Sequence, residues 1–338
     1  MNSVAPLSEP EPVIVPDVTE RVVRTGTRRN SPYKVVLQGL KFFCNRLPAA
    51  FETDGWDIRH HNIRNLRSLA AMLRDLRGAD LVFRWGSRIS YGKFLRAVRF
   101  FDKKNVVFFW AGSDVLGAQK QFSEGVCEPW IRTKTHWAGA PWLRDEIEAL
   151  GMKCEFVPIT WVPAVQNPQP LPERFSVLTY LPNADHGQLY GLERILEVAR
   201  SLPQISFELV GLTSGSVPNP PSNLRVNGHT GDMAAVYRRS SLYWRPVTHD
   251  GLSFMILEAL SHGRHVLWSY AFPHCRQSRN VESDRAEVLR FHDLHQRKLL
   301  RLNEPGVQMV EDRFSLGAIR KDYLRRWEQI IASSAERT

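Results

Sequence analysis

The apolar positions of this chain fall into short runs of two periods, and the periods alternate. Lys34-Val-Val-Leu-Gln-Gly39 is a buried-strand run closed by glycine. Ile63, Leu66, Ala70, Leu73 and Leu76 then keep helical spacing, Gly78 stands at the C-terminal cap, and Asp80-Leu-Val-Phe83 follows as a strand. The rhythm repeats in a helix carrying Phe94, Val98 and Phe101, the strand Asn105 to Trp110, and a helix from Pro141 to Leu150 ended by Gly151. Such strand, helix, strand units predict one doubly wound parallel sheet over residues 33–157.

Prolines at 158, 163, 168, 170 and 172 exclude both a helix and a central strand, so residues 158–173 read as an interdomain linker. A second series follows. Strands are expected at Phe175 to Leu181, Ser206 to Gly211, Leu224 to Gly228, Leu242 to Arg245 and His265 to Ser269. Helices are expected at Leu192 to Leu202, Asp232 to Arg239 and Ser253 to His262. This predicts a second α/β domain over 174–314. The last helical pattern, capped by Ser315 and running over 315–331, carries Tyr323, Leu324, Trp327 and Ile331 on one stripe. With no strand after it, it is expected to pack back on the first domain. The predicted fold class is therefore α/β, two doubly wound Rossmann-like domains facing a central cleft, where open sheets of this kind bind ligands.

Residues 1–32 alternate Pro, Glu, Val and Arg without a period and read as a disordered lead. The 338-residue chain has no window of about 18 apolar residues and no apolar leader behind a basic cap, so a cytoplasmic location is expected. The four cysteines, Cys44, Cys127, Cys154 and Cys275, show neither a CxxC pair nor zinc-ligand spacing, and read as reduced, packed residues. Asp54-Gly-Trp-Asp57 reads as a turn. His60 and His61 would point to opposite faces of an extended segment, which makes them poor joint metal ligands. Gly39 lacks the partners of a GxGxxG loop.

The net charge of +10 is concentrated between Arg59 and Lys104, in residues such as Arg64, Arg67, Arg88, Lys93, Arg96 and Arg99. Such a field attracts anions. No zinc finger, RNP-like aromatic motif or basic helix with heptads points to nucleic acid. The aromatics Trp85, Tyr91, Phe94, Phe100 and Phe101 lie among these charges. They suggest docking on an anionic membrane surface, at the inner face of the membrane.

The richest stretch runs from Tyr243 to Leu267. It reads as a strand, a polar loop holding Asp250, a helix starting near Ser253, a stop at Gly263 and another buried strand. Glu258 lies inside the helix between Ile256, Leu257, Ala259 and Leu260, where a carboxylate is costly to bury without partners.

Asp250-Gly251, Glu258-Ala259-Leu260, Gly263 and Val266 resemble the motif of glycosyltransferase family 4 and its GT-B relatives, two acids separated by seven residues with a following Gly and Val. The likeness extends through Tyr190 to Ala199, Phe207 to Gly211 and Asn227-Gly-His229 to Met233. It implies a nucleotide-sugar donor, with Glu258 accepting from the ribose hydroxyls and Asp250 holding hydroxyls of the transferred sugar. The backbone amides of Gly251, Leu252 and Ser253 would face the departing diphosphate.

Two departures stand out. The first acid is usually glutamate, and here it is Asp250. The family's phosphate-holding Arg and Lys are missing from the loop Pro182 to Gly191, so Arg245, His249 or Arg194 would supply the charge, Arg245 first because it ends a strand. In the first domain, Phe109-Trp-Ala-Gly-Ser-Asp-Val115 resembles the acceptor-side segment. There Asp114 would accept the hydroxyl proton, or else cap a helix.

The resemblance thus implies a glycosyltransferase acting on a carbohydrate or lipid-linked acceptor in polysaccharide or glycolipid assembly, with retention of configuration. Neither metal nor cofactor is expected. A sugar-nucleotide epimerase of the same fold is the alternative.

Overall fold

The computed structural model describes residues 32–39, 41–51, 55–61, 63, 65–85, 89 and 92–335. Nearly all of the lead at 1–32, together with Asp54, Arg64, Arg88 and Tyr91, lies outside the described residues. The chain divides into two compact units. Of the described residues, the N-terminal unit holds those up to Thr160 together with Asp250–Leu252 and those from Leu316 on, and the C-terminal unit holds Trp161–His249 and Ser253–Ser315.

In the N-terminal unit, the strands are β1 (Tyr33–Gln38), β2 (Trp56–His60), β3 (Leu81–Trp85), β4 (Val106–Trp110), β5 (Thr135–Ala138) and β6 (Cys154–Phe156). Between them run α1 (Lys41–Ala50), α2 (Leu66–Arg77), α3 (Lys93–Phe100), α4 (Asp114–Ser123), α5 (Pro129–Arg132) and α6 (Pro141–Ala149). The sheet order is β2-β1-β3-β4-β5-β6, and every pairing is parallel. Every residue of β3 and β4 is buried, as expected for central parallel strands covered on both faces.

The C-terminal unit repeats the plan. Its elements are β7 (Ser176–Tyr180), α7 (Leu192–Ser201), β8 (Ser206–Val210), β9 (Leu224–Asn227), α8 (Met233–Arg238), β10 (Leu242–Arg245), α9 (Phe254–Ser261), β11 (His265–Trp268), β12 (Arg276–Gln277), α10 (Val281–Gln296) and α11 (Glu304–Phe314). The order β12-β11-β10-β7-β8-β9 is again all parallel. Between β6 and β7 lies the proline segment without regular structure, and it is clamped. The fully buried Arg264 guanidinium donates to the carbonyls of Pro170, at 3.2 Å, and of Gln169.

The long final helix, α12 (Leu316–Ala335), belongs to the N-terminal unit because of its aromatics. Tyr323 and Trp327, both at 0% exposure, meet Phe51, Trp56, Phe83 and Trp137 at ring distances of 5.5 to 6.0 Å. The Tyr323 hydroxyl donates to the Val157 carbonyl at 3.3 Å. Large aromatic rings dominate core energetics, which is why this helix docks here without a strand to follow it.

The same core changes the picture of the basic segment. Trp85, Phe94 and Val98 face inward, and among the described aromatics of the segment Phe100, 83% exposed, stands out beside the exposed Lys93, Arg96 and Arg99. Cys44 and Cys154 are buried, and burial pushes both thiols up to about 12. No helix among the described residues is long and apolar enough to cross a membrane.

Candidate donor site in the C-terminal unit

In the C-terminal sheet the strand order reverses at β7. From β7 the chain proceeds to β8 and β9 on one side, while β10 lies on the other. The carboxyl ends of two strands on either side of such a reversal leave a crevice that doubly wound folds use for ligands. Tyr180 and Arg245 end these two strands.

The loops that follow are tied to each other. The Thr248 amide donates to the Leu189 carbonyl at 2.9 Å. Gly191, at φ +71°, brings its backbone so close to Pro246 that an added Cβ would sit 2.2 Å from the Pro246 oxygen. No other residue fits that approach, which fixes Tyr190 beside Arg245.

Arg245 is only 6% exposed, so it is not a surface charge. Its guanidinium lies 4.9 Å from the centre of the Tyr190 ring and donates to the Tyr243 hydroxyl at 3.3 Å. Tyr180 meets Tyr190 edge-on at 6.1 Å. A cation is thus held among tyrosine rings, partly desolvated, where its pull on an anion is stronger than in water. Arg194 is placed differently. Its Nε lies 2.6 Å from the Asp284 carboxylate, which is fully buried, and its Nη2 donates to Ser278 at 3.0 Å. That ion pair answers Arg194 within the protein.

Glu258 sits on α9 with half-buried exposure. One of its partners is Tyr237 of α8, whose hydroxyl donates to Oε2 at 2.8 Å. The Tyr237 ring is 1% exposed and stacks on His262 at 5.1 Å. Burial, then the charge of Glu258, drive the Tyr237 hydroxyl well above its ordinary value, so it remains a proton donor. Tyr243 donates to the Met255 sulfur at 3.6 Å on the same helix. Tyr237 was not among the sequence candidates, although a tyrosine on a buried helix face implies a partner for its hydroxyl.

The segment Asp250–Leu252 groups with the N-terminal unit. The Trp142 indole donates to the Asp250 carbonyl at 2.7 Å, and Thr160 donates to the Leu252 carbonyl at 2.9 Å. A Cβ on Gly251 would lie 1.8 Å from the Ala111 oxygen, so the glycine after the first acid has a packing reason in this chain. Gly251 and Leu252 are buried and precede α9, which begins at Phe254 with Ser253 as N-cap. Ser253 and His249 stay half-buried in the C-terminal unit.

Asp114 opens α4 and turns backward. Its carboxylate accepts the Gly112 amide at 2.7 Å and the Ala111 amide at 3.1 Å, and so holds the turn after β4. Among the described residues no group of three or more His, Cys, Asp or Glu is placed to hold a metal ion.

No protein-family model matches the sequence, and no curated protein matches it. Solved structures do match. Sucrose-phosphate synthase from Thermosynechococcus elongatus is 12% identical, with 89% of this chain and 100% of that one covered, at a TM-score of 0.62. The lipopolysaccharide outer core galactosyltransferase WaaB is 11% identical, with 89% and 99% covered, at 0.59. A mutant TarM from S. aureus, crystallised with fondaparinux, alpha-GlcNAc-glycerol and UDP, is 13% identical, with 77% of this chain covered, at 0.54. The match spans 59% of the length of that TarM chain. With its two six-stranded parallel sheets, the chain has the fold of GT-B glycosyltransferases.

Proposed function

We propose that this protein is a glycosyltransferase that moves a sugar from a nucleotide-sugar donor to an acceptor hydroxyl, in polysaccharide or glycolipid assembly. The observation that carries the reading is the β7/β10 reversal, where Arg245 ends one strand and the Tyr237-held Glu258 stands on the helix that follows. The fold shared with a galactosyltransferase and with a TarM that holds UDP supports it.

In this reading Glu258 accepts the donor ribose hydroxyls, Asp250 takes hydroxyls of the transferred sugar, and Arg245, with His249, faces the diphosphate. The amide of Ser253 and those opening α9 face it too. Leaving-group departure places positive charge at the anomeric carbon and negative charge on the phosphate. A fixed cation and fixed amides therefore stabilise the transition state more than the bound donor, which is what lowers the barrier. Gly251 and Leu252 serve by packing the loop that carries Asp250. Asp114 serves by shaping the turn after β4, and transfer proceeds with retention, without metal. The acceptor is a carbohydrate or lipid-linked molecule met at an anionic membrane surface.

Calorimetry with UDP, GDP and ADP, followed by incubation with the matching labelled nucleotide sugars with and without acceptors, tests this. Binding plus acceptor-dependent transfer is expected. An interconverted donor sugar without any acceptor requirement would instead reveal an epimerase, and no nucleotide binding would overturn the reading.

A further inference from the structure

The N-terminal sheet also reverses its order, at β1, which lies between β2 and β3. A cavity of about 210 Å³ opens at the carboxyl ends of β1 and β2. This is below the roughly 300–1,000 Å³ of a pocket for a whole small molecule, so it accommodates one group of a larger one.

Its polar lining is Gln38, Lys41, His60 and His61, against an apolar wall that includes Met72 and Phe94. The two histidines line one cavity, contrary to the opposite faces expected of an extended pair. The reason is that β2 ends at His60, so strand alternation no longer governs His61. His61 is fixed by Asp75, whose carboxylate lies 2.9 Å from Nε2. The 2%-exposed Asp75 is in turn answered by Arg59 at 3.1 Å and by Lys34 at 3.8 Å, so it does not repel an anion at the cavity. The Gln38 side-chain oxygen accepts from the buried Arg84, and the amide nitrogen carries the donors of this lining residue. Helix α1 begins at Lys41, so its first-turn amides lie at the same end. Among the described residues, the cavity lining contains no acidic side chain.

We infer that this cavity binds a phosphoryl group of the acceptor, with Lys41 as the point charge and Gln38, His60 and His61 as hydrogen-bonding partners. The phosphoryl group belongs either to a lipid headgroup or to a soluble phosphoester. That it belongs to the acceptor rests on the glycosyl-transfer reading; that an anion binds there does not.

The full chain is titrated at low salt with inorganic phosphate, followed by calorimetry and by the histidine ring resonances. In parallel it is sedimented with vesicles of phosphatidylglycerol in phosphatidylcholine and of phosphatidylcholine alone. The variants are Lys41→Gln, His60→Gln and Arg245→Gln. Saturable phosphate binding is expected, with movement of the His60 and His61 resonances and about tenfold weaker affinity in Lys41→Gln and His60→Gln. Arg245→Gln removes any phosphate held in the C-terminal unit, and the movement of the His60 and His61 resonances persists in it. A comparable loss of phosphatidylglycerol binding in Lys41→Gln identifies a lipid headgroup; a loss confined to inorganic phosphate identifies a soluble ester. Binding that Lys41→Gln and His60→Gln leave intact, or no saturable binding in either arm, overturns the proposal. Because nucleotide binding is measured separately, its absence would overturn the glycosyltransferase reading and leave this result standing.

Discussion

The Tyr237 hydroxyl donates to the Glu258 carboxylate at 2.8 Å, from a ring that is 1% exposed. A buried phenol with a raised proton affinity and a half-exposed acid make an asymmetric pair. The phenol fixes one carboxylate oxygen, and so the orientation in which the acid is presented.

Glu258→Gln is therefore expected to keep the fold while weakening donor use. The lost charge-assisted bond of roughly 1.5 to 3 kcal/mol corresponds to about one to two decades in kcat/KM. Tyr237→Phe should act through the same group. It would cost about 1 kcal/mol of stability and raise the donor KM, while adding little in the Glu258→Gln background, since residues in contact are not additive. Steady-state kinetics of the two single variants and the double variant measure this, and full additivity would place Tyr237 outside the site.

Gly251→Ala is expected to destabilise the protein, because the new Cβ would lie 1.8 Å from the Ala111 oxygen and 2.9 Å from its carbon, so backbone must move. A cost of about 1–3 kcal/mol is typical of overpacking. Gly117→Ala is the opposite case. Nothing lies within 4 Å of its Cβ position inside α4, and replacing a helix-interior glycine should stabilise by about 1 kcal/mol. Urea denaturation of both variants should show shifts of opposite sign.

Much of this arrangement is legible in the sequence, for physical reasons. Central parallel strands such as β3, β4 and β10 are buried on both faces and therefore read as unbroken apolar runs. Strand β5 escapes, because His136 interrupts it. That imidazole is buried by accepting from the Trp110 indole at 3.2 Å, 26 residues away, and by bonding the Ile131 carbonyl at 2.9 Å. Helix α10 escapes because it buries little more than Asp284, Val288 and Phe291, too few to make a stripe. In the site, Glu258 is visible as an acid in an apolar run, but Tyr237 lies 21 residues away and is joined to it only by the fold.

The same histidine gives a pH dependence. Burial holds His136 down at about 4, against 6.5 in its ordinary state. Above about pH 6.5 the imidazole is neutral whether or not the chain is folded, and the full stability is present. As pH falls from 6.5 toward 4 only the unfolded chain takes up the proton, so stability drops, by up to ~3 kcal/mol at the acid end. Urea unfolding at pH 7.5 and 4.5 should show a smaller drop in His136→Gln, which cannot titrate, than in the wild type.

Turnover is expected to survive EDTA, since Arg245 and the α9 amides supply the positive field that a metal otherwise provides. Activity lost to the chelator and restored by magnesium or manganese would refute this.

The last expectation concerns the membrane, where the structure narrows what the sequence suggested. Trp85 and Phe94 belong to the core, which leaves α3 with exposed Lys93, Arg96 and Arg99 and a single outward ring, Phe100. Each basic side chain near an anionic surface contributes on the order of 1 kcal/mol, and one partly inserted ring adds an apolar share. Binding should then be dominated by charge, so it should fade as salt shortens the screening length from roughly 30 Å at 0.01 M to 8 Å at 0.15 M. Sedimentation with anionic and neutral liposomes at low and high salt measures this. Changing Lys93, Arg96 and Arg99 together to glutamine should abolish most of the low-salt binding, whereas Phe100→Ser should reduce it modestly and equally at both salt concentrations. Equal binding to the two liposome types, or none to either, would leave an acceptor in solution as the substrate this surface serves.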